Sequence, residues 1–119
     1  GACNALSHLP PGAPVVCHSS GNHGAAVAAA ASAQGREAVV VVPRTTPAVK
    51  VQNIASYGAT VVLCEPTASD RAAAAQREAE QLGNAAIIHP YNQPEVIAGQ
   101  GTIALELLEQ VQNLDVILV

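Results

Sequence analysis

Tryptophan, phenylalanine and methionine are absent, and two tyrosines are the only aromatic residues among 119. A core without large rings must be built from valine, isoleucine, leucine and alanine, as in a parallel sheet covered by small-residue helices. Half of the chain is hydrophobic, enough for such a core. Basic residues are also scarce: five Lys and Arg stand against nine Asp and Glu, for a formal net charge of −4. That balance argues against a nucleic-acid partner, which wants a basic face, and gives no polybasic membrane signal. Long apolar runs are lacking too. The longest, at 25–31 and 38–42, are far too short to span a bilayer. No signal-peptide pattern is visible at the start of the sequence. The three cysteines, Cys3, Cys17 and Cys64, are odd in number and form no C-x-x-C. They are expected to be reduced thiols of a cytoplasmic protein.

What is present is an α/β rhythm. Residues 2–9 read as a short helix that Pro10, Pro11 and Gly12 stop. Residues 14–17 read as a short strand. A helix over 22–34 closes at Gly35, a residue suited to the left-handed position behind a helix. Residues 37–42 form a β-branched run typical of a strand buried on both faces, and Pro43 ends it. Thr46 and Pro47 read as N-cap and first residue of a helix reaching Tyr57, with Gly58 behind it. A strand over 60–64 ends at Glu65 and Pro66. Ser69 or Asp70 caps a helix to Leu82, followed by Gly83. Residues 86–88 read as a short strand and 89–94 as a loop. Pro94 starts a helix to Val111, and 115–119 reads as a buried final strand.

Such alternation with short connections implies parallel strands joined by right-handed crossovers. The expected fold is α/β: an open, mostly parallel twisted sheet with helices on both faces. Ligands of such sheets sit at the carboxyl ends of the strands. The loops at 43–47, 65–69 and 89–94 should therefore open on the same side as the loop after the first strand. Because the sequence starts on a helix and stops inside a strand, residues 1–119 are read as a single α/β region. That region is read as a fragment of a two-domain enzyme with flanking parts missing at both ends.

The loop after the first strand carries Ser19, Ser20, Gly21, Asn22, His23 and Gly24. A strand that turns through glycine into a helix start presents free N–H groups and the positive end of the helix dipole, a setting for an anion. An ordinary connection needs one capping residue and one glycine, and here Ser20 or Asn22 could cap while His23 is solvated. Six polar or glycine residues in a row exceed that need. The surplus predicts a ligand site.

Ser-Ser-Gly-Asn-His-Gly resembles the motif of fold-type II pyridoxal-phosphate enzymes, the serine/threonine dehydratase family that includes the serine racemases. The resemblance extends through Val41-Val42-Pro43, Thr45, Pro47 and Lys50, then Tyr57-Gly58-Ala59, Cys64-Glu65-Pro66, His89-Pro90 and Ile97 to Thr102. It implies pyridoxal 5′-phosphate as cofactor, with the Asn22 amide on the phenolic oxygen of its ring. It also implies that backbone N–H groups around Ser19, Asn22 and His23 hold the substrate carboxylate. Ser20 would be the catalytic acid/base of the racemase-like branch, where dehydratase-only relatives have alanine. Arg71 matches an arginine near the substrate entrance, and Gly21, Gly24 and Tyr91 are expected to line the pocket. The implied reaction is racemisation of L-serine or a related β-hydroxy amino acid, or loss of ammonia from it. Threo-3-hydroxyaspartate is an alternative substrate, and a non-catalytic truncated module is an alternative role. The family's Schiff-base lysine would precede Gly1 and its glycine-rich phosphate cradle would follow Val119, so these 119 residues alone are expected to be inactive. A divalent cation is possible through residues outside this sequence. The complete protein is expected to be a cytoplasmic homodimer.

Other features carry less. Lys50, the single lysine, lies a helix away from the motif and matches a different family position from the nucleophile. Gly99-Gln100-Gly101-Thr102-Ile103-Ala104 matches G-x-G-x-x-A, yet it falls inside a helix and not after a strand. Its glycines are better read as allowing close helix packing. Cys17, His18 and His23 lack the paired spacing of a metal site, and no metal ligand is assigned. Tyr57 could border a nucleotide-effector site, but Ala25 stands where effector-binding relatives have glutamine.

Overall fold

The structure, a computed structural model, describes residues 1–118. Its elements in chain order are α1 (Ala2–Ser7), β1 (Val15–His18), α2 (Asn22–Ala33), β2 (Ala38–Pro43), α3 (Ala48–Ser56), β3 (Thr60–Cys64), α4 (Ala68–Gln81), β4 (Ala86–Ile87) and α5 (Pro94–Gln110). The four strands form one sheet in the order β3-β2-β1-β4, and every pairing is parallel. After β1 the chain builds outward through β2 and β3, then returns to place β4 on the other side of β1. The strand order therefore reverses between β1 and β4. Ligand crevices of open α/β sheets form at such reversals, outside the carboxyl ends of the strands.

The alternation of side chains along β1 and β2 sorts the core into two layers. Val15, Cys17, Val40 and Val42 face one way, against Leu6 of α1, Val27 and Ala31 of α2, Ile54 of α3 and Val96 of α5. Val16, Val39 and Val41 face the other way, against Ala74, Ala75 and Ala79 of α4. Alanine on α4 lets its backbone lie close to the sheet. The expected core of valine, isoleucine, leucine and alanine covered on both faces is the one observed.

Two caps differ from expectation. Pro47, not Thr46, occupies the N-cap of α3, because the helix begins one residue later. Thr67, not Ser69 or Asp70, caps α4: its hydroxyl accepts the Asp70 N–H at 3.1 Å and donates to the Asp70 carboxylate. Asp70 is thus the third helical residue, where its charge also favours the positive end of the dipole. Gly35 does take the left-handed position expected behind α2, with φ of 62°.

The largest departure is the last segment. Residues 115–118 form no strand, and Leu118 is 94% exposed. A strand needs a neighbour to complete its hydrogen bonds. Beyond β1, the sheet ends at β4, which is two residues long. Val119, the end of the expected strand, lies outside the described residues.

Gly99 meets the packing expectation. A Cβ there would come within 2.7 Å of the Gly1 nitrogen and 2.9 Å of the Asn4 Cβ, so α5 can touch α1 only through glycine. The Asn4 side chain completes this contact by donating to the Glu95 carbonyl at 2.7 Å. Gly101 faces open space and does not share that role.

Candidate active site

The Ser19 to Gly24 loop leaves the carboxyl end of β1 beside the reversal in strand order. Its backbone settles the capping question. Gly21 is the N-cap of α2, and neither Ser20 nor Asn22 caps the helix with its side chain. The Ser19 hydroxyl instead accepts the Gly21 N–H at 3.2 Å, which tightens the turn. The first N–H groups of a 12-residue helix are therefore left without a side-chain cap at the polar mouth. Gly24 is buried, and a Cβ on it would lie 3.0 Å from Val40 Cγ1 and 3.2 Å from Ile54 Cδ1. It seats the helix start on the sheet, and other residues line the clefts around this turn.

Three clefts surround this turn. One, of about 290 Å³, is lined by Ser20, Thr45, Thr46, Lys50 and Arg71 with Pro43, Pro47 and Pro66. A second, of about 210 Å³, is lined by Gly21, Asn22, Val49, Lys50 and Asn53. A third, of about 190 Å³, brings Gly1 and Gln100 to Asn22, His23 and Pro90. Ser20 and Asn22 are exposed and His23 half-buried. The loops at 43–47 and 65–69 do open on the motif's side, as the α/β reading expects. Tyr91 stands at the same mouth but is 75% exposed, its ring edge-on to His89 at 4.7 Å between centroids.

Electrostatics distinguish this mouth from the rest of an acidic chain. Lys50 and Arg71 both line the Ser20 cleft. Among the described residues the one salt bridge, Arg44 to Glu65 at 2.9 Å, leaves both of them without an ionic partner. The Arg71 Nε donates only to the Thr67 carbonyl, at 3.4 Å. The Thr46 hydroxyl oxygen is buried without a hydrogen-bond partner, a state that ordinarily costs about 1–3 kcal/mol. A polar ligand atom in the adjoining cleft would relieve it.

Three imidazoles crowd the β1–β4 side. His18 is edge-on to His89 at 6.2 Å between centroids. Burial pushes the His18 pKa below its ordinary value, and the nearby Arg71, His89 and His23 push the same way. His23 is also lowered by burial, a shift partly offset by its bond to the Ile88 carbonyl and reinforced by His89. The His89 Nδ1 accepts the N–H groups of Asn92 at 2.8 Å and Tyr91 at 3.3 Å, so the proton of a neutral His89 sits on Nε2. Burial raises the Cys17 thiol to about 12, which leaves it protonated and poorly suited to ligating metal. Among the described residues no group of three or more His, Cys, Asp or Glu is arranged to hold a metal ion.

The fold brings the expected Ser20 and Arg71 to one cleft and Asn22 and His23 to another, and it adds Thr45, Thr46 and Lys50 to the first, residues the sequence reading did not single out as site candidates. Lys50 is a helix away in sequence, yet the parallel crossover brings the start of α3 back beside the start of α2. The available signal was positional: Thr45, Thr46 and His89 all follow the carboxyl ends of strands.

The family model described as pyridoxal-phosphate dependent enzyme matches residues 1–119. A serine racemase of Arabidopsis thaliana is 48% identical over all of this chain and 37% of its own length. A β-hydroxyaspartate dehydratase of Paracoccus denitrificans (strain Pd 1222) is 46% identical over 87% of this chain and 32% of its own. Among solved structures, a pyridoxal 5′-phosphate-dependent aspartate racemase superimposes with a TM-score of 0.90 at 47% identity. That match covers 96% of this chain and 36% of that one. The chain thus spans about a third of the length of these relatives.

Proposed function

The chain belongs to the pyridoxal-phosphate dependent enzymes, and from that premise we propose that the complete protein is a serine racemase and serine (threonine) ammonia-lyase. Its substrate is L-serine or a related β-hydroxy amino acid. The observation that carries this reading is the uncapped start of α2, with Ser20 opening onto one cleft and Asn22 onto two others. Residues 1–119 are then one α/β portion of a two-domain enzyme, inactive by themselves. The complete enzyme is proposed to be a cytoplasmic homodimer, in keeping with the family resemblance and three unpaired cysteines. No described helix is long and apolar enough to cross a membrane.

The residues present fit pyridoxal 5′-phosphate. Uncapped N–H groups, a free amide at Asn22 and the unpartnered Thr46 hydroxyl offer polar contacts to an anionic, electron-rich ring system. When bound, the cofactor supplies the electron sink for charge that develops at the substrate Cα. The chain supplies orientation and protons. N–H groups around Ser19, Asn22 and His23 receive the substrate carboxylate, helped by the α2 dipole. The Asn22 amide would hold the ring through its phenolic oxygen. The Ser20 hydroxyl gives or takes a proton at Cα, and delivery from its side yields the opposite enantiomer. A lone serine is a poor base. Lys50 and Arg71 on the walls of its cleft favour the deprotonated oxygen and lower that barrier. The lysine that the resemblance places before Gly1 would reach the site through the cleft that Gly1 shares with Asn22 and His23.

One observation favours a second reading. Two cations and two threonine hydroxyls in the Ser20 cleft suit an extra carboxylate, so threo-3-hydroxyaspartate or aspartate could be the better substrate. Purified complete protein should show the visible absorption of protein-bound pyridoxal phosphate. It should also convert L-serine to D-serine, pyruvate and ammonia. Absence of both the band and turnover would mark a non-catalytic module. A higher kcat/KM for the dicarboxylates than for L-serine would select the second reading.

A further inference from the structure

His23 was expected to matter through its backbone N–H, yet its side chain makes a long-range bond of its own. The ring Nε2 lies 3.1 Å from the carbonyl oxygen of Ile88, 65 residues away. A carbonyl only accepts, so Nε2 carries the proton and donates. Ile88 is no ordinary partner. Its N–H bonds the Val16 carbonyl at 2.8 Å, closing the short pairing of β4 with β1. Its chain then enters the 89–93 loop, where the His89 N–H bonds the Gln93 side chain and His89 Nδ1 collects two further N–H groups. Among the described residues no other side-chain hydrogen bond joins the 19–24 loop to the loop after β4.

β4 is the weakest border of the site. It has two residues and one neighbour, and sheet edges with few ladder bonds open readily. The imidazole spans the very reversal in strand order where the crevice forms. We propose that His23 is a positioning residue whose side chain clamps the start of α2 to the end of β4, fixing the donors that receive the substrate carboxylate relative to the opposite wall of the crevice. The proposal rests on the carboxylate role given above to the N–H groups of the motif. Its structural half, the coupling of two loops, stands independently of that role.

The ring suits the task at neutral pH. His23 occupies the second position of α2, at the positive end of its dipole, with His89 and His18 nearby. A second proton would meet repulsion from all of these. The neutral ring keeps one N–H for Ile88.

The test compares His23→Phe, which keeps a ring and removes the donor, with His23→Gln, which keeps a donor of similar reach, in the complete protein. Amide hydrogen exchange is read first. His23→Phe should speed exchange about tenfold in both 19–24 and 88–93, and His23→Gln should restore protection to within about threefold, tenfold being about 1.4 kcal/mol of lost local stability. In turnover, His23→Phe should raise the amino-acid KM by more than it lowers kcat, with Gln again partly rescuing. Faster exchange in one loop alone, or equal behaviour of Phe and Gln, would overturn the clamp. Exchange coupled as expected in a protein that binds no pyridoxal phosphate would keep the clamp and sink the proposed function instead.

Discussion

At the scale of single residues, the site depends on proton positions that sequence spacing does not show. Ser20 is a candidate through the family resemblance, and the structure adds that its side chain does not cap α2. That Lys50 of α3 shares its cleft with Arg71 of α4 was not legible from local spacing. Ser20→Ala in the complete protein should cut racemisation at least tenfold more than elimination, as chiral analysis against pyruvate formation would report; equal losses would contradict its assignment. The imidazoles make a prediction of opposite kind. The folded pKa values of His18 and His23 lie below the ordinary 6.5. Above pH 6.5 both are neutral in folded and unfolded chains and impose no penalty. As pH falls through 6.5 the unfolded chain takes up protons that the folded one refuses, so stability drops until the folded values are passed. Denaturant midpoints should decline from pH 7 toward 5, and the decline should shrink in His18→Gln. An undiminished slope in that variant would mean that other groups set the pH dependence.

At the scale of elements, most helices and strands follow from local chemistry, while their attachment does not. Arg36 shows the difference. In sequence it is one arginine after Gly35. In the structure its guanidinium donates to the carbonyls of Pro10 at 2.6 Å, Ala13 at 3.2 Å, Leu6 at 3.2 Å and Leu9 at 3.3 Å, with Nε on Gln34 Oε1 at 2.7 Å. It gathers carbonyls from the end of α1 and from the turn behind it, and so ties that helix to the loop before β1. Arg36→Ala should destabilise the complete protein by about 2–3 kcal/mol, and Arg36→Lys should recover less than half, because one ammonium cannot reach the same set of oxygens. Thermal unfolding of the two variants checks both halves of that statement. Gly24 and Gly99 belong to the same class: each is required by what approaches it, Val40 and Ile54 in one case and α1 in the other.

At the scale of the whole molecule, a chain of net charge −4 sets two of its five basic residues at one cleft beside the carboxyl end of its sheet. Lys50 and Arg71 stand at the mouth with the α2 dipole. Such a field attracts anions over distances that salt shortens, from roughly 30 Å at 0.01 M to about 10 Å at 0.1 M. Raising ionic strength across that range should increase the KM of a dicarboxylic substrate more than that of serine, and steady-state kinetics would show no difference if the cations do not face the ligand. The sequence by itself determined the α/β alternation, the aliphatic two-faced core and the polar turn at residues 19–24, because strand and helix periodicity, punctuation by glycine and proline, and the surplus of hydrogen-bonding groups are all local properties. It suggested a strand at 115–119, of which the described residues 115–118 form none, because an apolar run records a wish for burial and not the presence of a neighbour. Only the tertiary structure decided the order β3-β2-β1-β4, and with it that Lys50, Thr46, His18 and Ile88 meet around the turn. Which strands become neighbours is set by how all the helices pack at once, and that information is spread over the whole chain.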